Sequence, residues 1–386
     1  MAARVLLAAA VLVAAAVVVV ASSSPAPVSA FAFTEHDLAS EETLSALYER
    51  WRAHHKDHMP RRHRHRHAGA GEDDGEEKAR RFSVFKKKAR FVHELNNNHG
   101  GPRRPYKLGL NLFSDMSSEG LKAAGYGGCA YPYYDNNKLP LHNKGNNSKN
   151  VSAAVVLEPP AQRDWRVKGA VTEVKNQNPC GGCWAFAAAA AVESLVFLKT
   201  GSLIPLSEQQ LIDCDTSSPN KGCNGGSVAK AFIYISSTGL TSQEHYPYER
   251  SQGPCEAEMD TPVFARISGF ASVPPFDGDA MLRRVAVQPV AAVIAVNENV
   301  LTGYTGGVFT GLCGSPTVWH AVTVVGYGTH DDDGDGTSLN YWVVKNSWGP
   351  SWGEGGYIRI SRDEGGNDGL CRILFNPLYL SLGESL

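Results

Sequence analysis

The sequence predicts an α+β fold, helical in its earlier parts and rich in strands towards its end, and three observations carry that expectation. Stretches free of Gly and Pro run over 45–51, 76–97 and 183–200 with apolar residues on helical spacings or throughout. Short β-branched or aromatic runs separated by Gly, Asp or Pro clusters follow at 290–296, 321–327, 341–345 and 356–360. Cysteines concentrate in the same later region. The chain, at 386 residues, has room for roughly two domains. With 42% hydrophobic and 20% charged residues and a net charge of −2, it carries no overall basicity to draw it to nucleic acid or membrane.

Arg4 precedes an uninterrupted apolar run over 5–21, followed by small residues to Ala30, the pattern of a signal peptide spanning 1–30. Removal of that segment would leave no membrane anchor, and entry into an oxidising compartment favours disulfides. Cys180, Cys183, Cys214, Cys223, Cys255, Cys313 and Cys371 lie after residue 179, with Cys129 apart from them. An odd number in that region leaves one thiol free, and a free thiol in a secreted protein is either reactive or a liability. The residues alone leave the pairing of the others open.

The second helix carries Phe82, Phe85, Phe91, Val92 and Leu95. Residues 53–75 hold His54, His55, His58, His63, His65 and His67, four arginines and an acidic run without apolar period, which reads as a solvated insertion; metal binding and pH sensing are its other readings. Residues 135–156 form a polar linker with glycosylation acceptor patterns at Asn146 and Asn150. A compact, Gly-rich domain begins near Asp164. Its helix over 183–200 is closed by Gly201, and Ser207 with Gln210 has capping-box spacing ahead of the apolar Leu211 and Ile212.

Four segments, in order, resemble the signatures of papain-like cysteine proteases: KNQNPCGGCWAF at 175–186, GCNGG at 222–226, WHAVTVVGYG at 319–328 and KNSWGPSWGEGGYIRI at 345–360. The resemblance implies a two-lobe fold over 157–386, a helical lobe plus a β-barrel-like lobe, with the site in the cleft between them. It makes Cys183 the nucleophile, active as a thiolate at a helix start beside an imidazolium. His320 becomes the base that later protonates the leaving amine, Asn346 the group that orients it, and Gln177 the oxyanion donor together with the Cys183 N–H. Trp348 would cover the His–Asn contact. Gly225, Gly226, Ser227, Val228, Val293, Trp319, Ala321 and Trp348 would contact substrate, with small or apolar walls favouring Leu, Val or Phe as the second residue before the scissile bond. The disulfides implied are Cys180–Cys223, Cys214–Cys255 and Cys313–Cys371; Cys129 has no role in that scheme.

The region 31–156 resembles the family's helical inhibitory propeptide. Glu77, Arg81, Phe85, Val92 and Asn96 match its interrupted helical signature, with Lys88 where Asn is usual, and Gly109, Asn111, Phe113 and Asp115 match a GxNxFxD motif. The implied activity is hydrolysis of peptide bonds in proteins and peptides through a thioester, with no cofactor and no metal, by a monomer made as a zymogen and activated at acidic pH. Acidification is expected to weaken the propeptide's carboxylate contacts. The propeptide is its own intramolecular inhibitor, cystatin-type proteins are expected inhibitors, and the destination is vacuole, lysosome or extracellular space. The departures are Asn178, Pro179 and Gly182 near the nucleophile, Trp319 where Asn or Asp is usual, and one extra residue between Cys313 and His320.

Readings from other classes were a catalytically inert relative used for binding or storage, whose mark is loss of the nucleophile, and a redox or zinc protein, which predicts a second paired Cys motif. Cys183 is present and the second motif is missing. Asp331, Asp333, Asp335 and Gly336 begin like a calcium loop, but position 342 holds Trp rather than a bidentate Glu.

Overall fold

The computed structural model describes residues 31–56, 74–97, 104–126, 128–130, 158–257, 261–296, 298–311, 313, 318–331, 336 and 338–381. The signal-like segment, Asn146 and Asn150 with their linker, His58, His63, His65 and His67, and Asp333 and Asp335 lie outside the described residues.

Helix α1 (Glu41–His55) starts where the Ser40 hydroxyl accepts a hydrogen bond from the Thr43 amide at 3.1 Å. It runs past Trp51 to include His54 and His55, so the histidine-rich stretch begins inside a helix and the His55 ring is buried. Helix α2 (Asp74–Asn97) buries Phe85, Ala89 and Val92, a stripe at i, i+4 and i+7, with Phe85 and Ala89 clustered against α1 and Val92 joining Tyr106 and Leu108. Phe91 lies off that stripe and stays 37% exposed, contrary to the sequence reading. Trp51 and Phe85 meet with ring centroids 5.1 Å apart, and Tyr48 and Phe85 at 4.9 Å, in a small core of this region's own. Strand β1 (Tyr106–Leu108) and helix α3 (Ser118–Ala123) complete it.

The remaining chain contains β2 (Arg163–Asp164), α4 (Cys183–Thr200), α5 (Glu208–Cys214), α6 (Val228–Ser237), β3 (Phe270–Ser272), α7 (Gly278–Val287), β4 (Val290–Val296), α8 (Glu298–Leu301), β5 (Tyr304–Phe309), β6 (Val318–Asp331), β7 (Ser338–Lys345), β8 (Tyr357–Ser361) and β9 (Leu378–Leu380). The sheet order is β1-β5-β8-β7-β6-β4-β9-β3, with β2 also paired to β6. β1 therefore extends the β5 edge, antiparallel, with Tyr106 opposite Gly307 and Leu108 opposite Tyr304, so the earlier part of the chain docks as an added strand.

Helix α4 is apolar all round and buried on every face from Cys183 to Val196, which marks it as the central core helix. It is long and apolar enough to cross a membrane, but here that surface is covered by protein. β4 is likewise buried at every position, because its two faces serve two cores. Val290, Ala292, Ile294 and Val296 join Val322, Trp348 and Trp352 on one side; Ala291 and Val293 join Ala321, α4 and α6 on the other. The period-2 alternation of β6 matters for function: it sends Val318 and Val322 to one core and Trp319 and Ala321 to the other.

Candidate active site

The α4 N-terminus holds Cys183 in its first turn, where the helix dipole favours negative charge on sulfur. β6 supplies His320, and the chain leaving β7 supplies Asn346 one residue past the strand. His320 Nε2 lies 2.7 Å from Asn346 Oδ1, an oxygen that also accepts from the Ser347 amide at 2.7 Å. An acceptor at Oδ1 puts the proton on Nε2 and leaves Nδ1 facing the sulfurs. Trp348, fully buried, covers this pair with its ring 4.9 Å from the imidazole. Burial pushes the His320 pKa down to about 4, and the Asn346 hydrogen bond pulls it only partly back. The imidazole is therefore neutral, which corrects the expected thiolate–imidazolium pair for this state of the molecule.

The second correction concerns the thiol. Cys183 is not free: it is disulfide-bonded to Cys129, with Cα atoms 5.7 Å apart, and both residues are buried. Cys129 Sγ, Cys183 Sγ and a His320 ring nitrogen lie within 4.8 Å of one another, and Cys129 Sγ is 3.3 Å from Nδ1. Such a trio has metal-ligand residue types, but a metal takes thiolate, and both sulfurs are spent on each other. The remaining pairs are Cys180–Cys223, Cys214–Cys255 and Cys313–Cys371.

Cys129 arrives on a segment that threads the cleft. Gln177 Nε2 donates to the Gly125 carbonyl at 2.6 Å, while Ser347 Oγ donates to Gln177 Oε1 and fixes the amide's orientation. The Gln177 amide, the side chain the resemblance singles out, is thus occupied by a carbonyl of this chain's own earlier part. Gly125 is required there: its φ is +74°, and a Cβ would sit 2.6 Å from the Cys180 carbonyl carbon. Further on, the Gly226 amide donates to the Cys129 carbonyl at 3.2 Å, and the Ala130 amide donates to the Trp319 carbonyl at 3.2 Å. Gly226 can make this contact because its Cα lies against Trp184, where a Cβ would approach the ring to 2.6 Å. Tyr126 packs edge-on to Trp348 and Phe113.

Behind this segment the propeptide signature residues make the outer contacts. Gly109 N–H donates to Gly303 O at 2.8 Å, Asn111 Nδ2 to Thr302 O, and Asn96 Nδ2 to Leu108 O at 2.7 Å. Lys88 reaches Thr302 Oγ1 at 3.3 Å, and its burial lowers its pKa to about 8. Arg81 pairs with Glu77 at 2.8 Å and with Asp115 at 3.3 Å, and Tyr48 O–H donates to Asp115. For Asp115, burial outweighs these partners and raises the pKa.

Ser227, Val228, Val293 and Ala321 are all buried, and the last three share one apolar cluster with Cys129 and Ala130. Trp319 is on the same face of β6, and its ring stacks on Phe375 with centroids 5.5 Å apart. Gly225 has a φ of +102° at the cap of a short 3₁₀ turn. Sequence reasoning missed Gly125, Tyr126 and the Cys129–Cys183 pair. The signal for the pair was parity: eight cysteines over the whole chain leave none over, whereas counting only those after residue 179 left one.

The chain matches the family model "Papain family cysteine protease" over residues 159–379 and the "Cathepsin propeptide inhibitor domain (I29)" over 48–121. It is 42% identical to vignain of Phaseolus vulgaris over 355 residues, covering 91% of this chain and 89% of that one. It is 42% identical to the cysteine endopeptidase RepA of Oryza sativa subsp. japonica, covering 92% and 89%. Among solved structures, the proform of the ragweed pollen allergen Amb a 11, a cysteine protease, superposes with a TM-score of 0.70 at 34% identity, covering 92% of this chain and 100% of that one. The recombinant stem bromelain precursor gives 0.69 at 38%, covering 89% and 99%. The chain belongs to the papain family of cysteine proteases, in precursor form with its propeptide inhibitor domain.

Proposed function

We propose that the protein is an endopeptidase whose nucleophile is Cys183, with His320 as base, Asn346 as its orienting partner and Gln177 as oxyanion donor. The observation that carries this reading is the Gly125 carbonyl, 2.6 Å from Gln177 Nε2, beside a sulfur that faces the His320–Asn346 pair. A propeptide that inhibits by occupying a site puts its own carbonyl where the substrate's would go. Once a thiol reductant has opened the Cys129–Cys183 bond and the segment holding Cys129 has left, the Cys183 thiolate attacks a peptide carbonyl, and the oxyanion is held by Gln177 Nε2 and the Cys183 N–H. His320 gives its proton to the leaving amine and then takes one from the water that cleaves the thioester. Neither step calls for a metal or cofactor. Leu, Val or Phe is the preferred second residue before the scissile bond, because Ala130 and Cys129 already fill an apolar site made with Val228, Val293 and Ala321.

Activation belongs to an acidic compartment of the secretory pathway, and the maturation cut falls within 135–156, releasing the peptidase from about residue 157. One relative is a KDEL-tailed cysteine endopeptidase of Arabidopsis thaliana, in keeping with a secretory route, and the role is protein breakdown in the vacuole or outside the cell. Acid acts through His320. Its capped form resists protonation down to about pH 4, so between about 6.5 and 4 an uncapped imidazole binds a proton that the capped one refuses, and the cap loosens as pH falls. Asp115 works the other way, because its raised pKa favours the docked state at low pH. The mature domain acts as a monomer open to cystatin-type inhibitors.

The test is turnover of a fluorogenic peptide library by the cleaved, reduced protein, beside Cys183→Ser. Cleavage preferring Leu, Val or Phe at that position, abolished in the variant, is expected; preference for Arg would overturn the specificity, and an active variant the mechanism.

A further inference from the structure

We infer that Cys129 is a covalent latch on the nucleophile, so that release of this zymogen needs a dithiol reductant in addition to propeptide cleavage. The inference rests on the reading of Cys183 as nucleophile and goes beyond it. The bridge joins the residue whose sulfur does the chemistry to one in the propeptide, across a sequence separation of 54. Its geometry is built rather than incidental. Gln177 Nε2 holds the Gly125 carbonyl upstream, and the Gly226 amide and Trp319 carbonyl hold Cys129 and Ala130 on either side of the cleft. Phe113, Tyr126 and Trp348 pack together beneath. These contacts set Cys129 Sγ against Cys183 before any bond forms, and the other cysteines are paired elsewhere.

Two consequences follow. Cutting the chain after Ala130 leaves the propeptide tethered to Cys183, and the nucleophile stays oxidised. Burial of both sulfurs also keeps a reductant out until the segment lifts, which sets an order: loosening first, reduction second.

The exchange balances with a dithiol, R(SH)2. Its first thiolate attacks Cys129 Sγ, the bridge breaks, and the electron pair leaves on Cys183 Sγ, the sulfur that the α4 N-terminus stabilises as thiolate. The reductant's second thiolate attacks the mixed disulfide, closes its own S–S bond and expels the Cys129 thiolate. Of the two protons released by the dithiol, one goes to Cys129 and one to His320, which is exposed by then. The dithiol loses two electrons and the bridge gains them.

The experiment uses the full-length zymogen, folded oxidatively, as wild type and Cys129→Ser. Non-reducing peptide mapping reads the bridge directly. Limited trypsin then cuts the segment holding Lys138, Lys144 and Lys149. Activity and epoxide labelling of Cys183 are measured before and after treatment with dithiothreitol. A cross-linked peptide carrying both cysteines is expected, with trypsin-cut wild type at least tenfold less active than cut Cys129→Ser until the dithiol is added. Equal activity without dithiol, or free Cys129 in the map, would overturn the latch. If Cys129→Ser fails to fold, the wild-type map and the dithiol-dependent loss of the tethered propeptide on a non-reducing gel still decide it. A wild type that shows the bridge, loses it to dithiol and remains inactive would overturn the nucleophile reading and the latch with it, whereas equal activity without dithiol overturns the latch alone.

Discussion

The propeptide holds the peptidase domain in two places, and they differ in kind. On the outer edge, β1, Gly109 and Asn111 make hydrogen bonds to β5 and the backbone leading into it, and Asn96 ties α2 to Leu108 of β1. In the cleft, Gly125 brings its carbonyl to Gln177 and Cys129 brings its sulfur to Cys183. The outer grip is spread over many polar contacts, each worth about 1 kcal/mol net, so losing one weakens it by degrees. The inner contact lies on Gln177 and Cys183, the groups proposed to do the chemistry, so on that reading the same residues decide inhibition and turnover. Folding strength and silencing are therefore separable in this molecule.

Substitutions can break or sharpen that contrast. The largest effect belongs to Cys183→Ala, which should lower kcat/KM of the cleaved, reduced enzyme on the order of a million-fold, as loss of a nucleophile does elsewhere, while propeptide docking at β5 survives. Gln177→Ala should cost roughly a hundredfold to a thousandfold in kcat with KM little changed, and should also weaken inhibition by the propeptide, because one amide serves both the oxyanion and Gly125. Asn346→Ala should reduce kcat by about a hundredfold by freeing the imidazole, with a displaced pH profile as the sign that orientation, not folding, was lost.

An outer residue should behave differently. Asn111→Ala should leave the mature kcat unchanged and weaken propeptide binding by about 1–3 kcal/mol, measured by titrating separate propeptide into mature enzyme, since it strips partners from buried backbone groups. In the Cys129→Ser zymogen, His320 should make the cap fail as pH falls from about 6.5 towards 4, contributing up to roughly 3 kcal/mol; a release rate flat across that window would remove His320 as the sensor. Arg80→Met should matter least, under about 1 kcal/mol, because the Arg80 side chain is 70% exposed and its pair with Glu77 lies at the surface.

How much was legible in the sequence follows the same division. The helix Cys183–Thr200 with its Gly201 cap and the strand Val290–Val296 are legible to the residue, because the one is a long, mostly apolar run free of Gly and Pro and the other a short run wholly apolar. His320 and Asn346 could be named from their segments, but not the 2.7 Å contact between them. β1 escaped notice: three residues after Pro105 give no period, and only the open β5 edge makes them a strand. Helices α6 and α7 were also passed over, α7 despite the Asp277 cap that starts it. For the Cys129–Cys183 bond the parity of eight cysteines shows that none need be left over, but it does not name the partners. Pairing depends on two Cα atoms coming within 5.7 Å, and that proximity exists only after the propeptide has docked.

The central claim is that Cys183 is the reacting group and that its own propeptide stands on it. Reaction of the cleaved, dithiol-treated protein with an irreversible epoxide inhibitor, followed by peptide mapping, tests it most directly. The account predicts modification of Cys183 alone, matched by loss of peptidase activity and absent from the intact zymogen; label on another residue, or none on Cys183 after clean removal of the propeptide, would contradict it.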